Sequence, residues 1–160
     1  MMLLLSVLLL VLVANGAPVL ARVVFGHQFE WPVDAGRQAW DGRRWLGSSK
    51  TWRGLVAALS AAAVTAWLLG LGVLFGALVG ASAMVGDLIS SFIKRRLGIR
   101  SSGKATGLDQ VPEALLPGLL CVVWFGVDGV FVLALVLSFM MLDMLVSPLL
   151  HRWGIRRQPH

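Results

Sequence analysis

The chain is short of charge. Charged residues fill 14% of its 160 positions and hydrophobic ones 58%, whereas soluble domains carry roughly 25% charged residues. With a mean hydropathy of +0.81, this excludes an ordinary soluble domain and predicts one integral-membrane domain over residues 1–160. Cysteine is nearly absent: the single Cys121 lies in an apolar run, so no intrachain disulfide can form and the redox compartment is not readable. His27, His151 and His160 are scattered and no Cys/His cluster exists, which leaves nothing from which to build a zinc site. A Ser-His-Asp set cannot be argued either.

The apolar runs between the basic blocks lack Lys and Arg altogether. All 14 fall in three blocks, at residues 22–53, 94–104 and 152–157. A net charge of +6 could suggest nucleic acid, but this placement argues against it. It is the positive-inside pattern, and it puts all three blocks on the cytoplasmic side. An all-α fold follows, with five spans over residues 3–24, 54–70, 72–93, 112–126 and 130–150, and the N-terminus outside. Cytoplasmic loops are expected at 25–53 and 94–111. A signal peptide is the alternative for the first span, but no basic residue precedes its Leu-rich run. Pro18 removes a backbone hydrogen bond from that span and Asn15 places an amide inside it, either bonding its surroundings or lining a site. Trp31, Trp40, Trp45 and Trp52 recur through the first loop, which places it flat on the interface. Asp34 and Asp41 fit a lipid-binding face poorly.

The chain is organised around residues 72–110. Gly72, Gly76 and Gly80 share a helical face that lets a neighbouring helix approach closely. Asp87 then appears while the segment is still apolar, on one face with Ser90, Ser91 and Lys94. A carboxylate at that depth marks a polar cavity or a partner. Lys94-Arg95-Arg96 and a Gly/Ser-rich basic loop lead to Asp109. Carboxylates at 87 and 109 suit Mg²⁺, which takes one or two carboxylates together with phosphate oxygens and water. Lys94, Arg95, Arg96, Arg100 and Lys104 would neutralise a polyphosphate, and the N–H groups around Gly98, Ser101, Ser102, Gly103 and Gly107 could wrap it. Residues 98–105 nearly match a P-loop, but Ala105 replaces the required Ser/Thr and a helix rather than a strand precedes it. Asp143, Ser147 and His151 share a face of the last span. Asp143 there is structural, bonding Asn15 or a serine, or catalytic. A small transporter with an intramembrane acidic path and a non-catalytic lipid-binding protein are the alternatives to an enzyme.

Three stretches carry a resemblance: NGAP at 15–18, PVDAGRQAWDGRRWLGSSKTWRG at 32–54, and GDLISSFIKRRLGIRSSGKATGLDQ at 86–110. Together they resemble the CDP-archaeol synthase family, within the wider CTP:phosphatidate cytidylyltransferases. The resemblance implies Mg²⁺-dependent transfer of CMP from CTP to a lipid phosphate, an isoprenoid glycerol-ether phosphate or a phosphatidate, with release of pyrophosphate. It implies metal binding at Asp87 and Asp109, and catalytic cations at Lys50, Lys94, Arg95 and Arg96. Asn15, Asp41, Arg43, Arg44, Thr51, Arg53, Ser91, Gly103 and Gln110 are then expected to bind substrate. After LDQ the family often continues with another Asp and an aromatic, where Val111-Pro112-Glu113 stand here. The expected partners are CTP, the lipid phosphate and membrane lipids, with a homo-oligomer left open.

Overall fold

The computed structural model describes residues 1–101, 103 and 105–152, with side chains as far as residue 146. Ser102, Lys104, His160 and the side chains of Ser147 and His151 lie outside the described residues. Five helices follow one another: α1 (Met2–Phe25), α2 (Trp52–Leu68), α3 (Val73–Arg96), α4 (Gln110–Phe125) and α5 (Gly129–Arg152). No strand ladder forms among the described residues, and the loop before α2 carries only the isolated bridges Pro32–Thr51 and Gln38–Arg44.

By length and composition α1, α3 and α5 are long and apolar enough to cross a membrane, while α2 and α4 are apolar but shorter. At about 1.5 Å per residue, the 17 residues of α2 and 16 of α4 reach roughly 25 Å, against a hydrocarbon core of roughly 30 Å. The α2–α3 hairpin turns at Gly70 and Gly72, whose φ values of 72° and 89° a side chain would resist. α1 runs straight through Pro18 as a single helix.

α1 and α3 form the middle of the bundle. Val7, Leu10 and Val11 of α1 pack with Phe75 and Val79 of α3, Cys121 of α4, and Leu135 and Phe139 of α5. A second, small-residue cluster joins Ala14 to Ala58, Ala62, Ala83 and Met84. Here the predicted glycine face is realised in part: a Cβ at Gly76 would strike Ala62 and Ala66, and one at Gly80 would lie 3.1 Å from the Ala58 carbonyl. Gly72 caps the helix instead and meets nothing. In lipid such close approach matters, because packing rather than water exclusion holds helices together. The outer surface is apolar as well, with Leu5, Val56, Val64, Leu74, Leu119, Leu133 and Leu137 exposed.

At the polar end α3 runs on through Lys94, Arg95 and Arg96, and both Lys94 and Arg95 are buried. Lys94 is held by Asp109 and the Gly103 carbonyl and Arg95 by the Arg100 carbonyl, all in the loop that follows α3, while the loop of residues 26–51 is tied to the same end of the bundle by Arg43. Asp34 organises that loop. Its carboxylate accepts from the backbone N–H groups of Gly36 (3.0 Å), Leu46 (3.1 Å) and Gly47 (3.0 Å), and from the Arg44 guanidinium. Burial works against the charge, but Arg44 and those three N–H groups outweigh it and hold Asp34 down at about 2. Asp34, awkward on a lipid-facing loop, is a folding residue.

Candidate active site

Beneath the loop, two lysine–carboxylate pairs meet. The Lys50 ammonium donates to both oxygens of Asp87, at 2.6 Å each. Lys50 precedes Thr51, which caps α2 by accepting from Gly54 N–H at 3.2 Å. Burial works against the Lys50 charge, but Asp87, with Glu113 and Asp109 nearby, raises its pKa above the ordinary lysine value. Seven residues along α3, Lys94 Nζ lies 2.6 Å from Asp109 Oδ1 and donates to the Gly103 carbonyl at 3.4 Å. Ala105 N–H donates to the other oxygen of Asp109 at 3.3 Å. The acids of α3 and of the 97–109 loop are thus brought to one place, each holding a cation.

Between these pairs sits Ser91. Ser90, its neighbour, donates to the Asp87 carbonyl at 3.0 Å, the usual resting contact of a helical serine. Ser91 Oγ is buried and has no hydrogen-bond partner among the described residues. An orphaned buried hydroxyl costs about 1–3 kcal/mol, so its place one turn after Asp87 and three residues before Lys94 points to a group delivered by a ligand.

Glu113 was not singled out as a site residue. It reaches from the first turn of α4 to the neighbourhood of Asp87, with Lys50 and Asp143 close by. Its only sequence signal was the departure from the family pattern after Gln110. Gln110 itself accepts from Gly107 N–H at 2.7 Å and donates to Asp143 Oδ2 at 3.0 Å, tying the loop, α4 and α5 together. Gln110 is therefore one partner of Asp143, for which the sequence had left open a structural bond to Asn15 or a serine and a catalytic role.

Other predicted site residues have architectural bonds. Arg43 donates to the carbonyls of Arg95 and Arg96, at 3.3 and 2.7 Å, closing the C-terminus of α3. Arg96 pairs with Asp41, donates to the Arg44 carbonyl at 2.7 Å, and lies 5.3 and 5.2 Å from the ring centres of Trp40 and Phe92. Arg95 donates to the Arg100 carbonyl at 2.9 Å. Arg53 holds the Gly26 and Gln28 carbonyls. Asn15 donates to the Val11 carbonyl of its own helix at 3.0 Å.

Among the described residues no three His, Cys, Asp or Glu side chains converge as a metal cage. The donors fit Mg²⁺ in the other way it is held, by one or two carboxylates with phosphate oxygens completing the shell. That requires Lys50 and Lys94 to give up their carboxylates when a phosphate arrives.

An apolar bundle capped by buried paired charges is the build of an intramembrane enzyme that handles a charged substrate at headgroup level. A solved structure of an intramembrane enzyme for archaeal membrane lipids biosynthesis superposes with a TM-score of 0.73 and 30% identity, over 88% of this chain and 90% of that one. CDP-archaeol synthase of Pyrobaculum aerophilum is 35% identical over 88% of this chain and 82% of its own. That of Methanosphaerula palustris is 36% identical over 76% and 80%. The family model for CarS-like CDP-archaeol synthase matches residues 1–73 and 69–157. The chain belongs to the CDP-archaeol synthase family. The transporter and scaffold alternatives are not favoured.

Proposed function

We propose that this membrane enzyme transfers CMP from CTP to a lipid phosphate, with an isoprenoid glycerol-ether phosphate as the acceptor class, at the cytoplasmic interface. The observation that carries the reading is the pair of lysine-held carboxylates at Asp87 and Asp109 around the orphaned Ser91 hydroxyl. An oxygen of the acceptor phosphate forms a bond to the α-phosphorus of CTP. The bond from that phosphorus to the β-phosphate oxygen breaks, and its electron pair leaves on pyrophosphate. A phosphomonoester is largely dianionic at neutral pH, its second pKa being about 6, so the attacking oxygen needs no general base.

Asp87 and Asp109 would hold Mg²⁺, which neutralises phosphate charge and steadies the leaving group when bound. Lys50 and Lys94, released from those carboxylates, turn to the phosphates, and Ser91 donates to one of their oxygens. Arg95 braces the 97–109 loop, Arg96 and Arg43 tie the 26–51 loop to the end of α3, and Arg44 holds Asp34 within that loop. Exclusion of water beneath the loop strengthens each of these contacts.

The test is CTP-dependent formation of CDP-lipid by purified protein. Asp87→Asn and Asp109→Asn are each expected to lose at least about 100-fold in turnover, in line with the loss of one preorganised charge contact. Near-normal rates in both would remove the assignment. Mn²⁺ binding, read by its paramagnetic signal in the presence of CTP, is expected to weaken in the same variants.

A further inference from the structure

A hollow of about 220 Å³ opens where α1 ends and α2 begins. Arg22, His27, Glu30, Ser48, Thr51 and Arg53 line it, with Pro18 and Ser49 at its edges. It is smaller than the roughly 300–1,000 Å³ of pockets that enclose drug-sized ligands, so a headgroup fits it better than a nucleoside triphosphate. Pro18 and Arg22 lie in the last two turns of α1, where the apolar run gives way to the first basic residue, which is headgroup depth.

Its charges are unevenly engaged. Glu30, the one carboxylate in the wall, pairs with His27 at 3.1 Å and with Arg53 at 3.6 Å. Arg53 also holds two loop carbonyls, yet its Nε is buried without a partner. Arg22 makes no hydrogen bond or ion pair among the described residues and acts on Glu30 only at a distance. The positive end of α2 points the same way. The wall thus offers one uncommitted guanidinium, a half-committed one and serine hydroxyls, a set that suits a phosphate.

The hollow also adjoins the carboxylate site. Its lining residues Ser49 and Thr51 flank Lys50, whose ammonium holds Asp87. Ser49 Oγ lies 3.3 Å from Ser101 Oγ in the loop that leads to Asp109.

We propose that this hollow seats the phosphate and glycerol of the acceptor lipid, with its chains passing out along α1 into the bilayer. The inference rests on the cytidylyltransferase reading and adds to it a division of labour: nucleotide at Asp87 and Asp109, lipid headgroup at Arg22, Ser48 and Arg53, Lys50 between them.

The experiment uses full-length protein in phosphatidylcholine vesicles with and without a minor fraction of an isoprenoid glycerol-ether phosphate. Arg22→Gln is expected to raise KM for the lipid phosphate about tenfold or more, leaving KM for CTP within about twofold. Arg22→Lys is expected to recover much of the loss. Ser48→Ala, an exposed and structurally mild change, raises the lipid KM a few-fold. Without nucleotide, the lipid phosphate is expected to raise the melting temperature of the wild type but not of Arg22→Gln. Inorganic phosphate is expected to do so far more weakly, and equal protection by both would overturn the headgroup assignment. An unchanged lipid KM in Arg22→Gln and Ser48→Ala, with CDP-lipid still formed, overturns the pocket and spares the transferase. Arg22-dependent lipid binding without any CDP-lipid product does the reverse.

Discussion

Asp34 shows how much of the polar cap depends on single residues. Its carboxylate is shared among three backbone N–H groups and Arg44, in a nearly buried position. Asp34→Asn keeps the shape but loses the charge that Arg44 needs. Because the folded pKa of about 2 lies below the unfolded 3.9, the carboxylate contributes stability above pH 4, and that contribution fades as pH falls through about 2. The wild type is expected to exceed Asp34→Asn by on the order of 2 kcal/mol at neutral pH, with the gap closing between about pH 4 and pH 2, as read by denaturant melts in detergent. The sequence marked Asp34 as out of place on a lipid-facing loop, though not why, since its partners sit up to 13 residues away and meet it only once the loop folds. Glu113 was harder still to read. Its approach to Asp87 joins helices 26 residues apart in sequence, and no local pattern announces it. Glu113→Gln is expected to cost about 10–100-fold in turnover, the usual price of losing a residue that orients a liganding carboxylate; wild-type turnover would make its position incidental.

Between helices, the small residues decide which elements can come together. The periodicity of apolar and small positions was enough to predict all five helices and the Gly70–Gly72 turn, because each depends on residues close in sequence. It did not announce the burial of Lys94 and Arg95, since their partners Asp109, Gly103 and Arg100 lie in the following loop and Arg43 reaches the Arg96 carbonyl from some fifty residues earlier. It also assigned Gly76 and Gly80 to a packing face without naming the partner, which is α2. Gly86 is the more consequential position. A Cβ there would collide with the Pro112 carbonyl and lie 2.8 Å from Glu113 N, so α3 and α4 approach backbone to backbone next to Asp87. Gly86→Ala must push α4 outward, carrying Glu113 and Gln110 with it. The expected cost is about 1–3 kcal/mol in stability, together with a drop in turnover measured at a temperature where the variant is still fully folded. Gly80→Ala, one Cβ at 3.1 Å from the Ala58 carbonyl and far from the carboxylates, is expected to lower the melting temperature slightly and leave turnover close to the wild type.

The molecule as a whole is polarised end to end. Lys50, Lys94, Arg43, Arg44, Arg53, Arg95 and Arg96 all meet at one end of the bundle, where Lys50, Lys94, Arg44 and Arg96 pair with Asp87, Asp109, Asp34 and Asp41. At the other end the α4–α5 turn carries Asp128, which caps α5 by accepting from Phe131 N–H at 3.0 Å. Loops rich in Lys and Arg as a rule stay on the cytoplasmic side, so the expected orientation puts this charged end there. Cysteine labelling can check it cleanly, because the native Cys121 is buried and gives a silent background. A membrane-impermeant maleimide is expected to label Val127→Cys in intact cells and Ser101→Cys only after permeabilisation. The opposite pattern would place the carboxylates on the side without nucleotide. With Val127→Cys labelled from outside, Ser101→Cys from inside and all five helices crossing, α1 would begin outside and deliver Arg22 to the inner interface. The lipid phosphate and the nucleotide can meet only there, one arriving within the leaflet and the other from the aqueous phase.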